Sequence, residues 1–317
     1  MYLSGNLYCA LHLRPSGTLA GVFGLIRQFR QIQIDDRDRL TPALAHFRFV
    51  DLGFSALYYC AQAFDIEYCF FGSTLCLRIL NETGGYAYAL SSLERLEEIV
   101  SALFQEEERD MLHFDFVEEK DLDSYRRLSN YHCEIGFEEK YSDYLCTYAD
   151  YISVDKKASP HKYKDYSRFI KNHQHETSPM DASNLSVAAE LLERWCAGRD
   201  CAACTTGCEK QWILRLLDAW NSLNVKGVIV KANGSPAAFC ILEQNGDTVM
   251  RLVGKSPDRI LGLQIFMGVE SAKVLCPDAK YVNLGSDSGV PGIRQFKDKF
   301  RPYTKLNKYS VLLTPLC

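Results

Sequence analysis

The chain has 317 residues, of which 47% are hydrophobic and 24% are charged, and its formal net charge is −4. This length suffices for two domains of ordinary size. The mild acidity argues against a protein that coats nucleic acid without sequence preference, but it is compatible with a local basic groove. The sequence contains no window near eighteen uninterrupted apolar residues, so it predicts no membrane span. Residues 1–15 lack the basic and apolar regions of a secretory signal, and we therefore expect a cytoplasmic protein.

The first half of the chain alternates predicted helices and strands. A helix is predicted over 35–47, where apolar residues recur at helical spacing. The elements predicted after it are strands at 66–71, 74–80 and 86–90, a helix capped by Ser91 or Ser92 that runs to residue 104, a strand at 112–117, a helix at 121–129 and a strand at 144–148.

The polar stretch 153–159 predicts a domain boundary. We therefore assign residues 1–152 to an N-terminal domain, with the place of 1–34 left open, and residues 153–317 to a C-terminal domain. The elements predicted in the second half are helices at 163–173, 185–196 and 209–223, strands at 227–231, 237–243 and 248–253, a helix at 261–275, a strand at 280–283, a helix at 292–300 and a strand at 308–312. The turns Asn233-Gly234 and Asn245-Gly246, which separate the three consecutive strands, are strong hairpin signals.

The order of these elements resembles a GNAT acyltransferase domain: helices, a three-strand meander, a helix, a strand, a helix and a final strand. The first half shows a weaker version of the same order, without any repeat at the level of residues. The predicted fold class is therefore α+β, with two tandem GNAT-like domains, each a mixed, mostly antiparallel sheet flanked by helices.

The turn RILGLQ at 259–264 lies between a predicted strand and a predicted helix. At this place the GNAT enzymes bind the pyrophosphate of acyl-CoA with a pattern Arg/Gln-x-x-Gly-x-Gly/Ala, because a helix N-terminus presents free N–H groups and glycine permits close approach. Arg259 and Gly262 match, whereas Gln264 replaces a tiny residue and would either crowd the phosphate or hydrogen-bond to it. Lys255 just before the turn would pair with a phosphate or a carboxylate. The alternative is an ordinary strand–helix turn with a solvated lysine.

Residues 281–302, YVNLGSDSGVPGIRQFKDKFRP, combine a glycine-bearing loop with the basic residues that suit an anionic ligand. The segment resembles the closing motif of an uncharacterised bacterial family related to the C-terminal domain of phosphatidylglycerol lysyltransferase. That family typically reads Tyr-Ile-Asn-Arg-Glu-x-Asp-Leu-Gly-x-x-Gly-Leu-Arg-x-x-Lys-x-x-(Tyr/Phe)-x-Pro, and the resemblance covers roughly residues 35–317. The positions that this chain keeps are Asn283, Asp287, Gly289, Gly292, Arg294, Lys297, Phe300 and Pro302.

The resemblance implies roles for particular residues. Asn283 and Asp287 are the candidate catalytic residues, with Asp287 orienting a substrate amine. Arg294 and Lys297 lie about one helical turn apart and would share an anion. The residues expected to contact the donor are Lys255, Arg259, Gly262 and Gln264. The alternative for the loop is an internal cluster of ion pairs that fixes its conformation.

Two departures from the family pattern bear on the reaction. Gly285 stands where the family has an acid, so a candidate general base or ligand is missing. The basic segment after the domain junction is thinned within residues 162–173, which weakens a site for tRNA or another polyphosphate. We infer that this chain either handles a different substrate or has drifted from catalysis.

The chain contains 13 cysteines, an odd and scattered set that we expect to be mostly reduced and buried. Cys196, Cys201, Cys204 and Cys208 are the exception, since they lie within thirteen residues. Four thiolates at this spacing would hold zinc or an iron–sulfur cluster in a structural site. The alternative is a cysteine-rich surface insertion without metal.

We therefore expect an acyl- or aminoacyltransferase that moves its group from aminoacyl-tRNA or acyl-CoA to an amine or a hydroxyl. The partner implied is a carrier-bound acyl donor, with tRNA as one candidate carrier. Two other classes stay open: a non-catalytic GNAT-like module that binds an anionic ligand or a partner, and a metal-binding regulatory protein that uses the cysteine cluster. A cleft where Lys255, Asp287 and Arg294 converge would favour an enzyme, whereas charges paired with each other would favour a binding module.

Overall fold

The computed structural model describes residues 28–80, 84–107, 109–198 and 209–316. The elements of the first half are β1 (Arg30–Gln31), α1 (Arg37–Leu44), α2 (Phe54–Cys60), β2 (Glu67–Phe71), β3 (Thr74–Leu80), β4 (Tyr86–Leu90), α3 (Leu96–Glu107), β5 (Leu112–Val117), α4 (Leu122–Arg126), β6 (Tyr131–Phe137), β7 (Asp143–Thr147) and α5 (Tyr148–Ile152). Short 3-10 turns precede α1, α2 and α4.

The elements of the second half are α6 (Pro160–Asn172), β8 (His175–Pro179), α7 (Leu185–Ala197), α8 (Glu209–Asp218), β9 (Val225–Ala232), β10 (Ser235–Asn245), β11 (Thr248–Lys255), α9 (Leu263–Leu275), β12 (Tyr281–Asn283), α10 (Pro291–Asp298), β13 (Thr304–Leu306) and β14 (Tyr309–Pro315). The predicted elements all have counterparts here, whereas β1, α2, β6, α5, β8 and β13 were not predicted from the sequence. The hairpin at Asn233-Gly234 has both residues at positive φ, which these residue types tolerate.

The strands form two seven-stranded sheets with the orders β1-β2-β3-β4-β5-β14-β6 and β13-β7-β12-β11-β10-β9-β8. Each sheet contains one parallel pair, β4 with β5 in the first sheet and β11 with β12 in the second, and its other neighbours are antiparallel. These sheets and their helices confirm the predicted α+β fold class of two tandem GNAT-like units, each with a mixed, mostly antiparallel sheet.

The two sheets exchange strands. β7 precedes the predicted boundary at residue 152, yet it pairs with β12 and β13 in the second sheet. β14 comes from the end of the chain and lies between β5 and β6 in the first sheet. Each sheet therefore depends on the other half for an internal strand, and the assignment of domains to 1–152 and 153–317 stays a prediction.

Three apolar cores separate the layers. One core lies between α3, α4 and the outer face of the first sheet, and another lies between α5, α6, α9 and the outer face of the second. The largest core packs α1 and α2 of the first half against α7 and α8 of the second, between the inner faces of both sheets. This shared core fixes the two halves against each other. Among the described residues, no helix combines the length and apolarity needed to cross a bilayer.

Candidate functional site

The loop between β12 and α10 carries most of the residues singled out by the sequence. It begins by continuing the antiparallel pairing with β7, because Tyr144 and the loop exchange backbone hydrogen bonds through Leu284 N and Gly285 O. Gly285, Ser288 and Gly289 all have positive φ, which lets the chain turn sharply before α10 begins at Pro291. The glycines thus shape a compact loop, as expected from the sequence.

Asp287 is fully buried at the centre of this loop. Its carboxylate accepts hydrogen bonds from the Tyr144 hydroxyl at 2.5 Å, the Gly289 N–H at 2.7 Å and the Arg294 Nε at 2.8 Å. Burial by itself would raise the pKa of Asp287, but the hydrogen bonds from Arg294 and Tyr144 outweigh it and lower the pKa to about 2. Asp287 is therefore a permanently ionised group that holds the loop to β7 and α10.

Asn283 joins this loop to the first half of the chain. Its Nδ2 donates to the Arg48 carbonyl at 3.0 Å and to Asp143 Oδ2 at 2.9 Å, and its Oδ1 accepts from the Gly285 N–H. Because the side chain is fully buried and all these partners belong to the protein, Asn283 acts in this structure as a joint between the halves.

A buried ion cluster lies next to this joint. Asp143 Oδ1 lies 2.6 Å from Lys308 Nζ, and Lys308 also donates to Asp51. Burial by itself would lower the pKa of Lys308, but the charges of Asp143 and Asp51 raise it. These residues come from three distant parts of the chain, and each is at most 6% exposed. Such a cluster is costly to break, because a lone charge would stay buried.

Lys297 lies on α10 with 7% of its surface exposed. Its ammonium donates to the Ser286 carbonyl and lies 5.7 Å from the centre of the Tyr144 ring. Burial lowers the pKa of Lys297 to about 7, with Asp143 opposing the shift and the charges of Lys308 and Arg251 adding to it. Lys297 therefore gives up its proton more readily than an ordinary lysine, as a group that takes part in acid–base chemistry must.

The parallel pair next to Lys297 opens beyond Asn283. The pairing of β11 with β12 ends at Met250 and Asn283, while β11 stays paired with β10 as far as Lys255. A β-bulge interrupts β11 at Leu252, because Arg251 and Val253 oppose consecutive residues of β10. Bulges of this kind bend a strand and turn its side chains, and they often occur beside functional sites. We call the space between β11 and the loop after β12 the opening.

Arg251 lies on β11 one residue beyond its last pairing with β12, and it is not among the residues singled out from the sequence. Its guanidinium lies 5.1 Å from the centre of the Phe296 ring, and its Nη2 donates to Gln264 Oε1 at 3.2 Å. The guanidinium also hydrogen-bonds to the Tyr151 hydroxyl and the Cys240 thiol, and these contacts oppose the burial that raises the pKa of both groups. A single arginine within the apolar run VMRLV was the available signal, since a charge in a strand core needs a reason.

The turn before α9 packs against the protein. Gly262 is the N-cap of α9 with φ of +89°, and a Cβ there would lie 2.0 Å from the Asp165 carbonyl of α6. The glycine is thus required by close contact with a helix backbone. Gln264 points to Arg251, and Arg259 is exposed to solvent. Of the predicted donor residues in this turn, Arg259 is the one whose side chain faces solvent.

Lys255 lies on the opposite side of β11 from Arg251. Its ammonium lies 2.7 Å from Glu209 Oε1 of α8 and 3.9 Å from the Trp195 ring of α7. None of these partners belongs to the loop of Asp287, so the described contacts do not bring Lys255 together with Asp287 and Arg294. Instead Asp287 and Arg294 pair with each other, which is the arrangement that the sequence analysis associated with a fixed loop.

Of the four clustered cysteines, Cys196 lies at the end of α7, and Cys201, Cys204 and Cys208 lie outside the described residues. The metal site at these cysteines therefore stays a prediction. Elsewhere in the described parts of the chain, no three His, Cys, Asp or Glu side chains are grouped as metal ligands.

The fold is shared with several solved structures. A conserved protein of unknown function from Bacteroides thetaiotaomicron is 22% identical, with a TM-score of 0.83 over 91% of this chain and 100% of that one. The C-terminal domain of a protein assigned as a lysylphosphatidylglycerol synthetase in Agrobacterium fabrum is 14% identical, with a TM-score of 0.62 over 88% and 91% of the two chains. L-PGS from Bacillus licheniformis is 13% identical, with a TM-score of 0.57 over 88% and 92%. At these identities the likeness concerns the fold.

No curated protein matches the chain in sequence. A family model does match, over residues 54–312, which include both sheets and the loop of Asp287. The fold is thus of the aminoacyl- and acyltransferase type, as the closing motif indicated. The chain belongs to the family described as phosphatidylglycerol lysyltransferase, C-terminal.

Proposed function

We propose that this protein transfers an acyl or aminoacyl group from a carrier, aminoacyl-tRNA or acyl-CoA, to an amine or hydroxyl acceptor at the opening. The observation that carries the proposal is the buried Lys297, whose pKa is lowered to about 7 beside the point where β11 and β12 part. Membership of the phosphatidylglycerol lysyltransferase family supports the same class of reaction.

In the proposed reaction the acceptor's lone pair attacks the carbonyl carbon of the carrier ester. The new C–N or C–O bond forms as the bond to the carrier oxygen, or to sulfur in acyl-CoA, breaks. Neutral Lys297 accepts the acceptor's proton and returns it to the departing oxygen or sulfur, so that charge and atoms balance. Positioning of both substrates in the opening supplies the rest of the acceleration.

The other predicted residues divide into two roles. Asp287, Arg294 and Asn283 hold the loop that carries the backbone contact to Lys297, and they act as positioning residues. Arg259, exposed at the start of the turn before α9, is the proposed contact for the phosphates of the carrier.

The test incubates the purified full chain with a panel of aminoacyl-tRNAs and acyl-CoAs, with amines and phosphatidylglycerol vesicles as acceptors, and follows donor consumption. Lys297→Met should remove turnover, and the rate of the parent protein should rise with pH through about 7 as Lys297 loses its proton. Lys162→Met is the matched control, because Lys162 is also fully buried with a lowered pKa of about 8, but donates to carbonyls of α5. Absence of turnover with every donor, in a folded protein, would exclude the reaction.

The second candidate is a non-catalytic binding module. The observation that favours it is the internal pairing of Asp287 with Arg294 and of Lys255 with Glu209. The same panel separates the two functions: a module retains a donor or an anionic ligand without consuming it, and Lys297→Met then leaves that binding in place.

A further inference from the structure

The strand β6 forms one edge of the first sheet. It pairs with β14 along its whole length, from Tyr131 to Phe137, and no other strand of the described residues lies against it. An edge strand presents backbone N–H and C=O groups that a further strand can pair with. We call the side of β6 that faces away from β14 the open side.

The other sheet edges are protected against such pairing. β1 and β13 have two and three residues, so they offer few hydrogen bonds to a further strand. β8 ends at Pro179, which has no N–H to donate. β6 has seven residues and contains no proline, and it is therefore the longest edge that is ready for pairing among the described strands.

The hydrogen bonds to β14 show which residues of β6 present their backbone groups on the open side. The Leu316 N–H donates to the Asn130 carbonyl at 2.9 Å, and these two residues continue the register of the β6–β14 ladder. Hydrogen-bonded and non-hydrogen-bonded pairs alternate along an antiparallel ladder. The N–H and C=O groups of the even residues in 132–136 therefore point to β14, and those of the odd residues in 131–137 point to the open side.

The two faces of β6 carry different side chains. Tyr131, Cys133 and Ile135 pack in part against the apolar core beside α3 and α4. His132 and Glu134 lie on the other face with 59% and 66% of their side chains exposed, and His132 Nε2 lies 3.3 Å from Glu134 Oε1. The strand thus has an apolar row on one face and two polar groups of complementary chemistry on the other.

We propose that β6 pairs antiparallel with β6 of a second copy of this chain, about a twofold axis at Cys133. In this register His132 of each copy lies opposite Glu134 of the other, and Tyr131 lies opposite Ile135. The first sheets of the two copies then form one continuous sheet. The surface belongs to the first half of the chain, so the proposal goes beyond the transfer reaction and does not depend on it.

Two conditions select this register. Outward-facing residues must meet outward-facing residues, which excludes any axis that lies between two residues. An axis at Glu134 or at His132 would set that side chain opposite its own copy, and an axis at Ile135 would set Glu134 opposite Gly136, which offers no side chain. Axes nearer the strand ends pair fewer residues. An axis at Cys133 gives each carboxylate a histidine from the other copy.

The first test measures the association of the full chain, kept reduced, by sedimentation velocity over about a hundredfold range of concentration. We expect a reversible equilibrium between monomer and dimer. His132→Glu should weaken the dimer by about tenfold or more, because it sets two acids opposite each other at two places. Adding Glu134→Lys to that variant restores unlike charges and should recover most of the affinity. His46→Glu is the matched control, since His46 is also exposed and the change in charge is the same.

The second test captures the register as a disulfide. Two Cys133 Cα atoms at a hydrogen-bonded pair would lie about 5.5 Å apart, a distance that a disulfide spans. The oxidant is diamide, which takes up the two electrons and two protons that the thiols lose. Mass spectrometry of unreduced peptides should find Cys133 joined to Cys133. Cys133→Ser should remove this crosslinked dimer, whereas Cys196→Ser should leave it, although Cys196 is also partly exposed.

Urea unfolding of each variant checks that the fold is retained. The proposal is overturned if the parent protein stays monomeric throughout, or if His132→Glu and His46→Glu associate alike. A dimer in which Cys133 does not crosslink to Cys133 overturns it as well. Neither test contains an acyl donor, so dimer formation through β6 stands even if the transfer reaction fails, and turnover by a monomer leaves the reaction standing alone.

Discussion

The two halves of the chain share one strand arrangement and differ in what fills the end of the parallel pair. In the first half the pairing of β4 with β5 ends at Tyr88 and Phe114, and the Phe114 ring packs 5.8 Å from the Tyr88 ring and 5.2 Å from the Tyr125 ring. In the second half the pairing of β11 with β12 ends at Met250 and Asn283, and the neighbouring groups are Arg251 and Lys297.

The backbones agree even where the side chains do not. The residue two positions beyond the last pair has positive φ in both halves, +60° at Phe116 and +69° at Gly285. In the first half aromatic rings fill the end of the parallel pair, whereas in the second half the hydrogen-bond donors Arg251 and Lys297 lie there. The strand arrangement is therefore compatible with either set of side chains. We place the candidate reaction in the second half because Arg251 and Lys297 lie there.

The largest effect is expected from separating the halves. Residues 28–152 and 153–316, produced as separate polypeptides, should each fail to fold, since β14 would be missing between β5 and β6, and β7 would be missing between β12 and β13. Amide NMR spectra should show poor dispersion for each fragment and recover when the fragments are produced together. A well-dispersed spectrum from either fragment alone would show that the exchange of strands is dispensable.

The strand exchange also explains which parts of the fold the sequence predicted. Local patterns located β5 at 112–117 to the residue and the three-strand meander to within a few residues. α2 was missed because it is buried on nearly every side between the sheets, so its sequence has no polar face. β8 was missed for the opposite reason, since it is an exposed edge strand with the polar sequence HETSP.

The candidate site was predicted only in part, because the sequence shows local spacing but not tertiary contacts. The closing motif located Asp287, Arg294 and Lys297 on one loop and helix, because their spacing is local. The contacts of Arg251 come instead from Gln264 on α9 and Phe296 on α10, and the lowered pKa of Lys297 depends on burial. Such properties follow from tertiary packing and strand pairing, which a pattern along the chain does not record.

A second prediction concerns the buried lysine that distinguishes the second half. The pKa of Lys297 falls from an ordinary value of 10.5 to about 7 on folding, so between these pH values the unfolded chain binds one proton more than the native protein. Stability contributed by this residue should therefore rise with pH from about 7 to 10.5, by up to about 1.4 kcal/mol per pH unit, and stay level outside that window.

Urea unfolding of the parent protein and Lys297→Met across pH 6–11 measures this contribution as the difference between the two. The difference should favour the variant at the acidic end and move toward the parent as the pH rises, because methionine buries no charge. A difference that is independent of pH would mean that Lys297 keeps its charge in the folded protein, and the proposed proton transfer would lose its basis.

The smallest effect is expected at Gly285, which has a positive φ like Phe116 in the first half but a different side chain. Gly285→Ala should destabilise the protein by roughly 1–2 kcal/mol, because an L-residue is strained at positive φ, with a further cost from a Cβ only 3.0 Å from Val50 Cγ1. Gly246→Ala is the control, since Gly246 has φ of +58° and nothing within 4 Å of an added Cβ. This substitution should therefore cost backbone strain without any steric contact. Thermal or urea unfolding should show the larger loss for Gly285→Ala. Equal losses would mean that Val50 moves aside, and that packing does not explain why the second half has glycine where the first half accommodates Phe116.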